Sequence, residues 1–155
     1  VLGDIEPGFA EEFAAAVASI PTSKVVAFGS AGGSVHDALI AGQMIRALRL
    51  DTTLSNNCYS ACPLVFMGGL ERTIWPPFPE LGFHQLAVRN GGRVEPINVS
   101  YQEIREYAEI MGVDPQFVLS AMFSAIPSEM YTPDLRVLCE SGVATFVYRL
   151  CTHYD

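Results

Sequence analysis

Positive charge is what this sequence has least of. Its 9 Lys and Arg residues stand singly against 17 acidic residues, for a net charge of −8. No basic stripe is present to neutralise nucleic-acid phosphates or to meet an anionic membrane surface. The acidity needs no special partner, because a charge of this size also keeps a small domain soluble. Long apolar runs are missing too. Stretches such as Phe9–Ile20 are too short or too interrupted to cross a bilayer. Asp4 and Glu6 stand where a signal peptide would carry basic residues, so none is read there. Membrane anchoring is expected only through a segment outside this chain. Cys58 and Cys62 do not form a C-x-x-C pair, and no histidine lies near enough to them to complete a zinc pattern, so neither a metal nor a cofactor is expected. Repeats, linkers and low-complexity segments are also lacking. With 155 residues, half of them hydrophobic, the chain is expected to form a single α/β domain spanning 1–155 with a substantial core.

Periodicity supplies the elements. Val1–Leu2 reads as the tail of a strand, and Glu6–Ile20, with its Phe9/Phe13/Val17 stripe, as an amphipathic helix ended by Pro21. Lys24–Phe28 is nearly continuous apolar sequence, as in a strand covered on both faces. A glycine-bearing turn at Gly29–Ser34 leads into a helix over Val35–Leu48. Thr52–Leu54 is a second strand, Ser55-Asn-Asn a polar turn, and Cys58–Cys62 an elbow opening a helix through about Met67. A proline-rich loop at Trp75–Glu80 precedes strands at Gly82–Val88 and Val94–Val99, joined by a turn at Asn90-Gly-Gly. Helices follow at Tyr101–Met111 and at Pro115–Ala125, the latter with Asp114 as N-cap. A short helix over Pro133–Glu140, closed by Gly142, and a strand over Val143–Leu150 complete the chain. Alternating strands and helices predict a mainly parallel sheet with flanking helices.

In such sheets ligands sit beyond the carboxyl ends of the strands. Two turns leave strands in the right sense: Ser30-Ala31-Gly32-Gly33-Ser34 and Cys58-Tyr59-Ser60-Ala61-Cys62. Each opens a helix, whose first N–H groups have no helical partner and can hold an oxyanion. The small Ala61 is expected to leave its N–H accessible, and the absence of Cβ atoms at Gly32-Gly33 lets backbone approach closely. Ser60 would sit on the elbow and needs a base. Of the three histidines, His84 follows a loop returning to the same sheet edge, His36 lies in a helix's first turn, and His153 lies in the tail. Each feature also has a plainer reading: a serine before a helix is most often a cap, Gly-Gly most often only a turn, and a strand histidine most often structural.

The motifs S-A-G-G-S-V-H-D-A-L-I-A-G-Q-M-I-R, C-Y-S-A-C-P-L-V-F-M-G-G-L-E-R and G-F-H-Q, in that order, resemble the ClpP/crotonase superfamily. The closest resemblance is to the ClpP-like periplasmic serine peptidase-type proteins of bacteria. It runs from Gly3–Ile5 to Ser141–Val143, and the 24-residue spacing from Ser60 to His84 agrees with ClpP. The resemblance implies a serine peptidase-type hydrolase with Ser60 as nucleophile and His84 as general base. Gly33 and Ala61 would provide oxyanion-hole N–H groups, with Ser34 a nearby alternative donor. The family often has proline where this chain has Ala31, which would loosen the turn. The implied third member is Glu129, with Asp134 as fallback, and a Ser–His dyad stays open. A peptide or protein substrate and a homo-oligomer are implied as well.

Two other functions fit the same sequence. A catalytically inactive binding or assembly module can use this fold, although retention of Ser60, His84 and Gly-Gly together argues against decay. A crotonase-type acyl-thioester enzyme would need no Ser–His pair, and no basic cluster is present for a CoA phosphate. Cys58, Cys62, Cys139 and Cys151 fit two disulfides or four buried free thiols. The elbow's reversal favours pairing Cys58 with Cys62, leaving Cys139 for Cys151. Oxidised pairs would place the protein in the periplasm or another extracytoplasmic compartment.

Overall fold

In a computed structural model of the chain, residues 1–77, 79–90, 93–96 and 101–151 are described, with 88–90 and 93–96 described by backbone alone. The apolar run after Lys24 forms β1 (Val25–Ser30), whose Phe28 is buried. β1 pairs in parallel with β2 (Asp51–Tyr59). β2 then divides its other edge. Thr52 and Thr53 pair with β3 (Arg72–Ile74), while Cys58 and Tyr59 pair with β4 (Leu81–Gly82). β7 (Phe146–Val147) adds to β3, completing a five-stranded, wholly parallel sheet. β5 (Ala87–Asn90) and β6 (Arg93–Pro96) form a separate antiparallel pair.

Parallel pairing requires crossovers, which here carry helices. These are α1 (Phe9–Ala18), α2 (Val35–Ala47), α3 (Cys62–Phe66), α4 (Tyr101–Ile110), α5 (Pro115–Phe123) and α6 (Leu135–Glu140). Asp114 caps α5, accepting from the Gln116 and Phe117 N–H groups, as its position before Pro115 predicts. Ile5, Phe28, Phe66, Phe83, Ile104 and Leu138 belong to one buried cluster. None of the described helices is long and apolar enough to cross a membrane.

Several boundaries differ from expectation. Ser55-Asn56-Asn57 lies within β2 rather than forming a turn, because β2 regains pairing with β1 at Ser30↔Cys58 and gains β4 as a second neighbour. Ladder bonds there outweigh the polar residues' preference for turns. The strand expected over Gly82–Val88 is broken at residues 84–86, because the Phe83 N–H and carbonyl pair with Tyr131 from a different part of the chain. β3 lies in a segment where no strand was expected. β7 covers only two of the eight residues expected there. The turn at residues 91–92 and the strand residues 97–99 lie outside the described residues.

β3 is held by a buried cation. Arg72, 4 % exposed, donates from its guanidinium to the carbonyls of Gly69, Gly142 and Val143 at 2.8, 2.8 and 3.0 Å. Arg46 reaches the Gly69 carbonyl as well, at 2.9 Å. Burial, with the charge of Arg46 adding to it, pulls the Arg72 guanidinium down to about 10, so it remains charged at neutral pH. Replacing Arg72 by Ala leaves the Gly142 and Val143 carbonyls without this donor, while Gly69 keeps Arg46, and is expected to cost about 3 kcal/mol or more. Urea unfolding should show this as a lower midpoint at constant slope. An unchanged midpoint would mean that other groups or water satisfy those carbonyls.

Candidate active site

β2 ends at an elbow where the chain must reverse into α3. Ser60 makes the reversal with φ 63°, in the left-handed region that a residue bearing a Cβ seldom enters. Its N–H donates to the Gly82 carbonyl at 3.1 Å, and the Cys58 N–H donates to Glu80 at 2.9 Å, so β4 clamps the elbow from one side. From the other side Gly32 presses on it: a Cβ on Gly32 would lie 2.5 Å from the Ser60 Cβ. This contact joins the two turns expected to carry chemistry.

β4 also delivers His84, which lies just past the Phe83–Tyr131 bridge, off the strand that was expected to hold it. Nε2 of His84 is 2.7 Å from Ser60 Oγ, and Nδ1 is 3.0 Å from the backbone carbonyl of Glu129. A carbonyl can only accept, so Nδ1 carries a proton, and in the neutral form of the ring Nε2 accepts from the Ser60 hydroxyl. The ring is therefore oriented, and its tautomer fixed, by a peptide group. The expectation was an acid at Glu129. The residue is in place, but its exposed carboxylate makes no hydrogen bond to the ring; the main chain does. Asp134, the fallback, is engaged elsewhere as the N-cap of α6, accepting from the Val137 N–H at 3.0 Å.

The N–H groups expected to face an oxyanion differ from one another. Gly33 is exposed, with φ 140°, and its N–H has no hydrogen-bond partner among the described residues. A Cβ at Gly33 would collide with the Ile5 carbonyl, so only glycine fits there. Ser34 is not a free donor. Its N–H donates to the Ile5 carbonyl at 2.6 Å and its hydroxyl to Asp37 at 2.8 Å. Ala61, whose N–H also has no partner among the described residues, is 0 % exposed, so its small side chain does not open it to solvent as expected. An unpartnered buried N–H costs about 1–3 kcal/mol and calls for a reason.

Two features near the site were not among the expectations. The Tyr59 hydroxyl donates to Glu80 at 2.6 Å, and that bond to a carboxylate pushes the phenol up to about 12, keeping it a neutral donor. Nothing local links residues 59 and 80; only the β2–β4 register does. Asp37 gathers the starts of α1 and α2, and its spacing from Ser34 was a readable capping signal. Of the remaining histidines, His36 is exposed in the first turn of α2, and His153 lies outside the described residues. Among the described residues no cluster of His, Cys, Asp and Glu could hold a metal. Cavities of about 670 Å³ between the ends of α1 and α2, and about 400 Å³ beside Glu80 and Asp134, are lined by neither Ser60 nor His84.

Both cysteine pairs lie at disulfide distance in the expected connectivity, Cys58 with Cys62 across the elbow and Cys139 with Cys151. The first closes a loop too small to add much by chain entropy, so its effect is local to Ser60. Such pairs are compatible with an extracytoplasmic location. Peptide mapping without reductant should recover residues 58 and 62 within one oxidised peptide and residues 139 and 151 joined. Free thiols at all four positions would overturn both pairings.

No protein-family model matches the chain, and no curated protein matches it significantly by sequence. Solved structures do match it by shape. The chain superposes on a mutant of the 1510-N membrane-bound stomatin-specific protease with TM-score 0.71 at 14% identity, covering 96% of this chain and 77% of that one. It superposes on a mutant of ClpP1 from Listeria monocytogenes with TM-score 0.68 at 16% identity, covering 95% and 89%. The parallel sheet, its flanking helices and these superpositions together establish that the chain has the ClpP-like fold.

Proposed function

We propose that this chain is a serine hydrolase that cleaves peptide bonds by acyl transfer, with Ser60 as nucleophile and His84 as general base. The observation that carries the reading is the 2.7 Å approach of His84 Nε2 to Ser60 Oγ at a left-handed elbow, with Nδ1 turned to a carbonyl. That tautomer leaves Nε2 as the acceptor a base must be.

His84 takes the Ser60 proton as Oγ attacks the substrate carbonyl. The Gly33 N–H stands ready for the developing oxyanion, and the Ala61 N–H, buried and without a partner among the described residues, is the second donor. His84 then returns the proton to the leaving amine, and water attacks the acyl-enzyme by the same steps in reverse roles. A peptide or protein is the preferred substrate because both structural neighbours named above are proteases. Assembly into a homo-oligomer, a single domain over 1–155 and a periplasmic setting belong to the same proposal. The wholly buried Ala61 favours a second reading, a binding or assembly module in which the hole is never completed.

A fluorophosphonate probe separates the two. It should label Ser60, and Ser60→Ala or His84→Ala should each cost about 10⁴–10⁶ in rate, with the double variant little worse than either, because the pair acts as a unit. Label on another serine would sink the nucleophile assignment, and no label on a folded protein would favour the assembly module. Because Glu129 serves through its backbone, Glu129→Ala should change the labelling rate by less than about threefold. Loss of an orienting carboxylate would instead cost on the order of 10⁴. Intact-mass kinetics on the two variants would read the difference.

A further inference from the structure

Within the turn that presents Gly33, the Ser30 hydroxyl accepts from the Gly32 N–H at 3.0 Å, but no such bond among the described residues reaches the Gly33 N–H. Gly32 and Gly33 both have positive φ, and glycine there loses more freedom on ordering than any other residue. The bracing from outside the turn comes from Ile5, whose N–H donates to the Gly32 carbonyl at 2.8 Å and whose carbonyl accepts from the Ser34 N–H at 2.6 Å. The direction in which the Gly33 N–H points therefore depends on how firmly the segment around Ile5 is fixed beside the start of α2.

One side chain ties those two pieces together. Asp37, 8 % exposed, accepts through Oδ1 from the N–H groups of Gly8 and Ala10 at 3.2 and 3.1 Å, and through Oδ2 from the Ser34 hydroxyl at 2.8 Å. α1 has no side-chain cap of its own, since its N-cap is Gly8, so the α2 carboxylate supplies the missing acceptor. Ser34 in turn caps α2 by accepting from the Asp37 N–H at 3.2 Å. The bonds from Ala10 and Ser34 hold the Asp37 carboxyl below the usual carboxylate range, so it meets both helix starts as an anion.

We propose that Asp37 is the positioning residue of the oxyanion turn, locking the segment Ile5–Ala10 against Gly32–Ser34 so that the Gly33 N–H is aimed beside Ser60. The inference rests on the reading of Ser60 and Gly33 given above and assigns to it a residue that touches neither substrate nor reacting atoms. An oxyanion donor aimed by a fixed backbone needs no reorganisation during reaction, which is the source of its effect. Asp37→Asn keeps an oxygen for the α1 N–H groups but loses the acceptor for Ser34, whereas Asp37→Ala loses both.

The test has two readouts. Hydrogen–deuterium exchange of the segment 29–35 should quicken in the order wild type, Asp37→Asn, Asp37→Ala. Fluorophosphonate labelling of Ser60 should slow in the same order, by roughly tenfold or more for Ala, given that losing an oxyanion donor outright costs about 10²–10³. Asp114→Ala, which removes the α5 cap remote from the turn, is the matched control: it should lower thermal stability comparably and leave the labelling rate unchanged. Should Asp37→Ala not fold, Ser34→Ala breaks the same link from the other side and serves in its place. Unchanged exchange at 29–35 in the Asp37 variants overturns the proposal, as does a labelling loss no greater than that of the control. Faster exchange with no labelling even of wild type leaves the lock standing and rejects the hydrolase reading instead.

Discussion

Ser60 occupies backbone space that costs about 1–3 kcal/mol for a residue of its kind, and much of the surrounding architecture serves to keep it there. β2 runs nine residues so that its far end can pair with β4 after its near end has paired with β3. The Gly82 carbonyl takes the Ser60 N–H, the Cys58–Cys62 link spans the bend, and Gly32 fills the space beneath it. Remove the division of β2 and no strand would end where α3 must begin. The strain is thus opposed by contacts spread over residues 32 to 82, which is how a left-handed serine persists.

The same constraint explains what could be read from sequence. Ser60, His84 and the Gly-Gly turn stand out because each is punctuated locally: small residues after a strand, a histidine after a proline-rich loop. Asp114 before Pro115 and the ends of α2 were legible for the same reason. The course of β2 through Ser55-Asn56-Asn57 was not, since its polar residues read as a turn and only pairing with strands far along the chain keeps them extended. β3 escaped notice because it depends on Arg72, a residue whose charge argues for surface until the carbonyls of Gly69 and of the distant Gly142 and Val143 surround it. At Glu129 the side chain carried the expectation, whereas the contact with His84 is made by the backbone carbonyl. Any residue type could present that carbonyl, so no sequence signal for it exists.

That substitution of a peptide carbonyl for a carboxylate has an energetic consequence on the proposed reading. Both acceptors select the Nδ1–H tautomer and orient the ring, so the resting geometry of the pair is served equally well. They differ once the ring becomes a cation. A carboxylate meets imidazolium as an ion pair, whereas a carbonyl offers only a dipole, and charge-assisted hydrogen bonds are roughly twice as strong as neutral ones. The burden of stabilising charge in the transition state then falls more heavily on the oxyanion side. There Gly33 and Ala61 contribute backbone donors that make no other hydrogen bond among the described residues, one of them wholly buried. A buried donor without a partner destabilises the resting fold, so an oxyanion that satisfies it recovers energy the free protein lacks. In a site with a neutral support behind its histidine, fixing those N–H groups in place becomes the main route to rate acceleration left to the fold.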